Sequence, residues 1–193
     1  HVFCGITHKK RCWSTRTLIQ VAYQITHMKP SLLIRHPYFV AFSIQIILVY
    51  EWISVGLGKI YGGQFVSNIG KTFSRFENGN PHEWYVGSVL HLAKSFPELF
   101  GRLVQWGELL VGIGLVVALL TYGLSTQPQW KNPARYAAIL SLLGGVFMNA
   151  NFYYAAGWTS PSTEGLNMAM FWMQVVLILF WVKPWEERRP YPR

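Results

Sequence analysis

The sequence contains no aspartate; all eight of its acidic residues are glutamate. Charged residues make up 13% of the chain, against roughly 25% in an ordinary soluble domain. There are two cysteines, Cys4 and Cys12, both near the N-terminus. That scarcity excludes a disulfide framework and cysteine ligation of metal or iron–sulfur in the main body. The spacing of Cys4 and Cys12 with His1 and His8 fits no common zinc pattern. No histidine falls within a long apolar run, which argues against an intramembrane bis-histidine haem. A phosphate-binding glycine loop, a His-Glu-x-x-His pair and a nucleophile elbow are likewise missing.

What is abundant is apolar surface. Hydrophobic residues make up 51% of the chain, in four runs of spanning length. A bilayer core needs about 20 such residues per helix. The runs are Tyr38 to Leu57, Leu103 to Tyr122, Tyr136 to Ala156 and Gly165 to Trp181. Lipid demands that every backbone polar group be satisfied within the protein, and nothing in the runs has a strand period. The reading is an all-α, polytopic membrane protein built as a four-transmembrane-helix bundle. Tyr38, Trp106, Tyr122, Trp130, Tyr136, Trp158, Trp181 and Trp185 stand at the run ends, where aromatic belts settle. The net charge of +9 comes from basic residues that flank the runs and form no stripe on a polar domain. The expected partner is the bilayer, and no nucleic acid is expected.

The ends differ from the middle. Residues 1–27 are read as a non-native or unstructured N-terminal extension, because Met28-Lys29-Pro30 has the form of a natural start. Lys29 to Tyr50 resembles a signal peptide but lacks a small-x-small cleavage site, so it is read as an uncleaved first span. The membrane domain then covers 28–185, with a polar tail over 186–193.

About 45 residues separate the first two runs, and connections of that length usually carry structure or function. Asn80-Pro81-His82-Glu83 has the order of an N-cap, a proline at N1 and a glutamate at N3. Val86, Val89, Leu90 and Ala93 come next at helical spacing. An amphipathic helix of about three turns is expected here, at the membrane surface or on the bundle. Ser95-Phe96-Pro97-Glu98 repeats the start signature and places the second spanning helix near Pro97. Lys and Arg near the run ends put both termini in the cytoplasm, with the chain in the plasma membrane.

Polar residues inside spans mark a site or a packing contact. They are Gln45, Glu51, Glu108, Asn149, Asn151, Asn167 and Gln174, with Lys59 just past the first span. With alternating helix direction, Glu51, Glu108, Asn149, Asn151 and Asn167 fall at one depth from four helices. Gln45 and Gln174 lie deeper. Taken singly, each amide is readily explained as interhelical glue, worth about 0.6 to 2 kcal/mol. Taken together, they predict a polar pocket beneath the long loop, in which Glu51 and Glu108 could share a proton. Lys59, Lys71, Arg75, Lys94 and Arg102 are expected to give the long outer loop a cationic lining. Small residues such as Gly56, Gly58, Gly112, Gly114, Gly144 and Gly145 permit close helix approach, and Gly56 and Gly58 could also shape the pocket floor.

Gly56-x-x-Lys59 closing the first span, followed by Glu108-x-x-x-Gly112 in the second, resembles the DoxX/DoxD-like membrane proteins. The stretch Asn149-Ala-Asn151-Phe-Tyr-Tyr-Ala-Ala-Gly157-Trp-Thr-Ser-Pro-Ser is similar to that family's third helix and its exit. The resemblance covers roughly residues 43–182. The chain departs from the common pattern in lacking an early arginine in the first span and in carrying Glu51-Trp52. The family includes the membrane subunit of thiosulfate:quinone oxidoreductase. The resemblance therefore implies a quinone-linked membrane redox subunit with quinone as electron acceptor and no metal or haem of its own. It further implies Glu108 and Glu51 as catalytic groups, and a substrate or quinone pocket formed by Lys59, Asn149, Asn151, Asn167, Gly56 and Gly112. A membrane or periplasmic partner subunit is expected with it, and a homo-oligomer is compatible. The competing class is a non-catalytic membrane scaffold or small-solute carrier.

Overall fold

The computed structural model describes residues 37–182. Two compact units are distinguished, His1–Val40 and Ala41–Arg193. Of the first, only the opening turn of a helix is described; the helix bundle and its cavity belong to the second. The expectations for residues 1–27 and 186–193 lie outside the described residues.

Four helices are long and apolar enough to cross a membrane, and among the described residues there is no strand. The chain is an all-α, multi-pass membrane protein. Helix α1 is Pro37–Tyr61 and ends where Gly63 takes a left-handed conformation, φ 65°. Helix α2 is Phe65–Glu77 and ends before Gly79, φ 85°. Helix α3 comes in three consecutive pieces, Glu83–Tyr85, a π-helical stretch Val86–Leu90, and His91–Ser95. Helix α4 is Pro97–Leu124, with Glu98 in its first turn, where a negative charge meets the helix dipole favourably. Helix α5 is Lys131–Ala156 and α6 is Pro161–Val182.

These helices outrun their hydropathic runs. Helix α4 starts six residues before Leu103, and its 28 residues extend about 42 Å, beyond a hydrocarbon core of about 30 Å. The extra turns carry Glu98 and Arg102 on α4, Lys131 and Arg135 on α5, and Glu164 on α6. Charges end an apolar run without ending a helix.

The long connection holds two helices where one was expected. Along α2, Phe65, Ile69, Phe73 and Phe76 recur at helical spacing, and Ile69 and Phe73 are buried. Lys71, Ser74 and Arg75 are exposed. The polar Ser, Asn and Thr between the phenylalanines conceal the period. Helix α3 also begins later than its sequence signature. Its N-cap is His82, and Asn80 serves instead as a staple. The Asn80 amide donates to the Phe76 and Tyr154 carbonyls, each at 3.0 Å, and its oxygen accepts from His82 N–H at 2.9 Å. The connection is thereby tied to the end of α5.

Glycines set the helix contacts. A Cβ on Gly112 would lie 2.6 Å from Ile53 Cγ1, and one on Gly56 would lie 3.0 Å from the Leu109 nitrogen, so α1 and α4 meet nearly backbone to backbone. Gly145 gives α6 the same access to α5: its Cβ would sit 2.6 Å from Gln174 Oε1. At the end away from α2 and α3, Gln45 joins three helices. Its amide donates to the Leu115 carbonyl at 2.9 Å, and its oxygen accepts from Trp181 Nε1 at 3.0 Å. Phe42, Tyr122 and Phe180 pack around the Trp181 ring. Arg135 closes that end by donating to the Trp181 and Val182 carbonyls, at 3.2 and 2.8 Å.

Candidate functional site

A cavity of about 660 Å³ lies at the other end of the bundle, beneath α2 and α3. Each helix contributes wall: Trp52 and Lys59 from α1, Glu108 from α4, Asn149 and Asn151 from α5, Asn167 and Met170 from α6. Phe65, Ile69 and Phe73 of α2, with Tyr85 and Leu90 of α3, form the roof. The size suits a small organic ligand, and the wall is mainly apolar with a few polar groups, as in most such sites. Val55, Leu103, Phe147 and Leu166 line the cavity and are also exposed on the bundle surface. The space is therefore continuous with the lipid-facing side.

The polar groups occupy one level. Gly107 touches Met148 of α5, and Leu109 touches Gly56 of α1, so Glu108 sits between α1 and α5 with Asn149 next to Met148. Glu108 is 1% exposed. Its Oε1 forms an ion pair with Lys59. The Lys59 ammonium lies 4.8 Å from the Phe65 ring centroid and 5.5 Å from that of Phe152, within range of cation–π attraction. A smaller groove of about 430 Å³, lined by Gly58, Gly62, Gln64 and Asn68, shares Lys59 with the cavity. Lys59 therefore stands between an open groove and the apolar chamber.

Three buried atoms of residues that line the cavity have no hydrogen-bond partner among the described residues: Glu108 Oε2, Asn149 Nδ2 and Trp52 Nε1. Buried polar atoms are nearly always satisfied, and each one left bare costs roughly 1–3 kcal/mol. Gln174 is also unpartnered, but it lies deeper, against Gly145. The roof is better satisfied. Tyr85 donates from its hydroxyl to Asn151 Oδ1 at 3.3 Å, and Asn151 Nδ2 donates to the Phe147 carbonyl at 2.8 Å. Burial pushes the Tyr85 phenol up to about 12. Tyr154 packs edge-on to Trp84 at 4.9 Å and to His82 at 5.2 Å, behind Tyr85.

The residues singled out from sequence are distributed unevenly. Glu51, Lys59, Glu108, Asn149, Asn151 and Asn167 line the one cavity. Glu108 takes Lys59 as its partner, not Glu51, so the expected carboxyl pair does not form; Glu51 is half-buried on the rim. The Asn167 amide donates to the Thr163 carbonyl at 2.9 Å within its own helix. Gly56 and Gly112, expected in the pocket, lie in the α1–α4 contact, because their lack of a side chain is used by the neighbouring helix. The cations expected along the outer loop lie on its surface and not in the cavity. Lys71, Arg75, Lys94 and Arg102 are exposed, Lys94 is paired with Glu77, and among the described residues Lys59 alone brings positive charge to the wall. Trp52, Tyr85 and Asn80 were not foreseen. Trp52 is one residue from Glu51 and shares its depth, a clue that the sequence contained. Among the described residues no group of three or more His, Cys, Asp or Glu is placed to hold a metal.

Chemically, the arrangement offers an apolar chamber open to lipid, whose lining residues also carry one carboxyl oxygen and two N–H donors buried just behind the wall without partners. No protein-family model, no curated protein and no solved structure matches this chain.

Proposed function

We propose that the cavity binds a lipid-soluble quinone carrier and that the chain is the quinone-binding membrane subunit of a redox system, as its resemblance to the DoxX/DoxD-like proteins implies. The observation that carries this reading is the set of unpartnered buried atoms, Glu108 Oε2, Asn149 Nδ2 and Trp52 Nε1, on residues that line an otherwise apolar chamber. A ring with polar oxygens and an apolar tail matches both halves of that description. Its carbonyl oxygens would accept from Asn149 Nδ2 and Trp52 Nε1 once those side chains turn toward it, and its tail would leave through the lipid-facing rim at Val55, Leu103, Phe147 and Leu166. A quinone supplies two-electron, two-proton redox chemistry when bound. This chain's residues bind and orient the ring, exclude water from it, and hold charge at Lys59 and Glu108. Electrons would come from a membrane or periplasmic partner subunit. A small dianion such as thiosulfate suits this chamber poorly, because its cation is already paired. In this reading the donor reacts with the partner, near the exposed Lys71, Arg75 and Arg102.

The test is photoaffinity labelling of the full chain in lipid nanodiscs with an azidoquinone. Label is expected on the peptides carrying residues 51–59 and 147–152, displaced by excess unlabelled quinone and weakened by Trp52→Phe, which removes a donor to the ring oxygens. Labelling that is unsaturable, or spread evenly over the lipid-facing surface, counts against quinone binding and returns the chain to the scaffold class. The plasma membrane location and the cytoplasmic termini belong to the same proposal. Reporter fusions after Arg135 should report the cytoplasm and one after Asn78 the outside; the inverse pattern overturns the orientation.

A further inference from the structure

The carboxyl at the chamber's opening points to a second class of ligand. Glu51 lines the cavity and is half-buried, between exposed Tyr50 and buried Trp52. It lies ten residues before Tyr61 ends α1, about 15 Å along the helix axis. Val55, one turn on, lines the same cavity and is exposed on the lipid side, so Glu51 stands at the rim. Among the described residues no side chain pairs with its carboxyl. The two ion pairs are Lys59–Glu108 and Lys94–Glu77, and the Ser54 hydroxyl is spent on the Tyr50 and Glu51 backbone carbonyls. An ionisable group within a span is costly without a partner and marks a site.

The rest of the lining narrows the partner. Asn167 spends its amide nitrogen on the Thr163 carbonyl, which leaves its oxygen to accept. The Lys59–Glu108 pair adds no net charge, whichever of the two holds the proton. Six phenylalanines, Phe65, Phe73, Phe76, Phe100, Phe147 and Phe152, line the chamber, and ring faces attract cations. An amine suits all of these. A neutral amine against a protonated carboxyl and an ammonium against a carboxylate are one pair with the proton moved, so a hydrogen bond joins nitrogen to Glu51 in either state.

We propose that the chamber binds lipophilic amines, molecules with an apolar body and one protonatable nitrogen, and that Glu51 at the rim selects them. The body lies among the phenylalanines and the nitrogen meets Glu51. A quinone has no hydrogen to donate, so this inference uses a group that the quinone reading leaves idle and does not rest on that reading.

The experiment is equilibrium binding to the full chain in phosphatidylcholine nanodiscs at neutral pH, with uptake by empty nanodiscs subtracted. Adamantylamine, adamantanol and adamantane carboxylate share one apolar cage and differ in the polar group. Adamantylamine should bind saturably and about tenfold more tightly than adamantanol, the effect of one charge-assisted hydrogen bond, and the carboxylate should bind most weakly. Glu51→Gln should bring adamantylamine down to the level of adamantanol while adamantanol binding, which reports an intact chamber, is kept. Glu51→Asp retains a carboxyl and should retain the preference for the amine. Glu98→Gln, an exposed change outside the cavity, should leave all three affinities as they were. Equal binding of amine and alcohol by the parent chain, a preference that survives Glu51→Gln, or no saturable binding of adamantylamine would each overturn the proposal.

Discussion

Removing Lys59 exposes what its pairing contributes. In Lys59→Met the stem remains against Phe65 and Phe152, but the Glu108 carboxyl loses its counter-charge. Glu108 is 1% exposed and its second oxygen already has no partner, so water has little access to replace the ammonium. Stripping one partner from a buried pair costs about 3–5 kcal/mol. Lys59 keeps 21% side-chain exposure, which places the expected loss at the lower end, about 3 kcal/mol. The converse change should cost less. In Glu108→Leu the ammonium left behind still faces the open groove, where it can hydrate, and about 1–2 kcal/mol is expected. The double variant removes both charges and should recover to within about 1 kcal/mol of the parent, since an apolar pair of similar volume often replaces a buried ion pair without loss. The assay is reversible unfolding in mixed micelles, with helix content followed against denaturing detergent for all four members of the cycle. A Lys59→Met protein within about 0.5 kcal/mol of the parent, or equal costs for the two single changes, would refute the unequal burial of the two charges.

Three other outcomes are expected. Gly112→Ala should lose about 1–3 kcal/mol by forcing α1 from α4, whereas Gly58→Ala, with nothing within 4 Å of the added carbon, should be neutral or gain up to about 1 kcal/mol in helix propensity; the same detergent titration ranks them. Asn80→Ala should free the connection from α5, and amide exchange across α2 and α3 should quicken while that of the spanning helices is unchanged. The raised Tyr85 phenol gives a pH dependence of fixed sign. The folded protein holds this proton more tightly than the unfolded chain, so the stability it contributes is intact below about pH 10 and is lost as pH rises toward about 12. A Tyr85→Phe protein should lack that loss, and identical alkaline unfolding of the two would contradict the burial assigned to Tyr85.

Much of the site was legible because bilayer geometry adds a coordinate that soluble sequences lack. Alternating helix direction turns position within a run into depth, and depth alone gathers Glu51, Glu108, Asn149, Asn151 and Asn167 without knowledge of any contact. Depth does not give azimuth. Nothing in the sequence told whether Glu108 faced Glu51 or Lys59, or whether Gly112 bordered a ligand or a helix. Those choices are made by side-chain reach and by the α1–α4 crossing at Gly56 and Gly112. The roof was hardest to read. The apolar spacing of α2 is diluted by polar residues that α2 exposes, and Asn80 carries the look of a cap while its amide is spent on carbonyls seventy-four and seventy-five residues away.

The Gln45 junction has a consequence for exchange. With Trp181 locked to Gln45, Gln45 locked to Leu115, and Phe42, Tyr122 and Phe180 filling the remaining gaps, the bundle is a cup with a sealed floor rather than a tube. Whatever enters the cup must leave by its rim or by the lid. A carrier moving solute from one face of the membrane to the other would have to break the hydrogen bonds at Gln45 and unpack a ring cluster in every cycle. A ligand that comes and goes within one leaflet leaves the floor untouched, and its residence time is then set by how often α2 and α3 lift from α4.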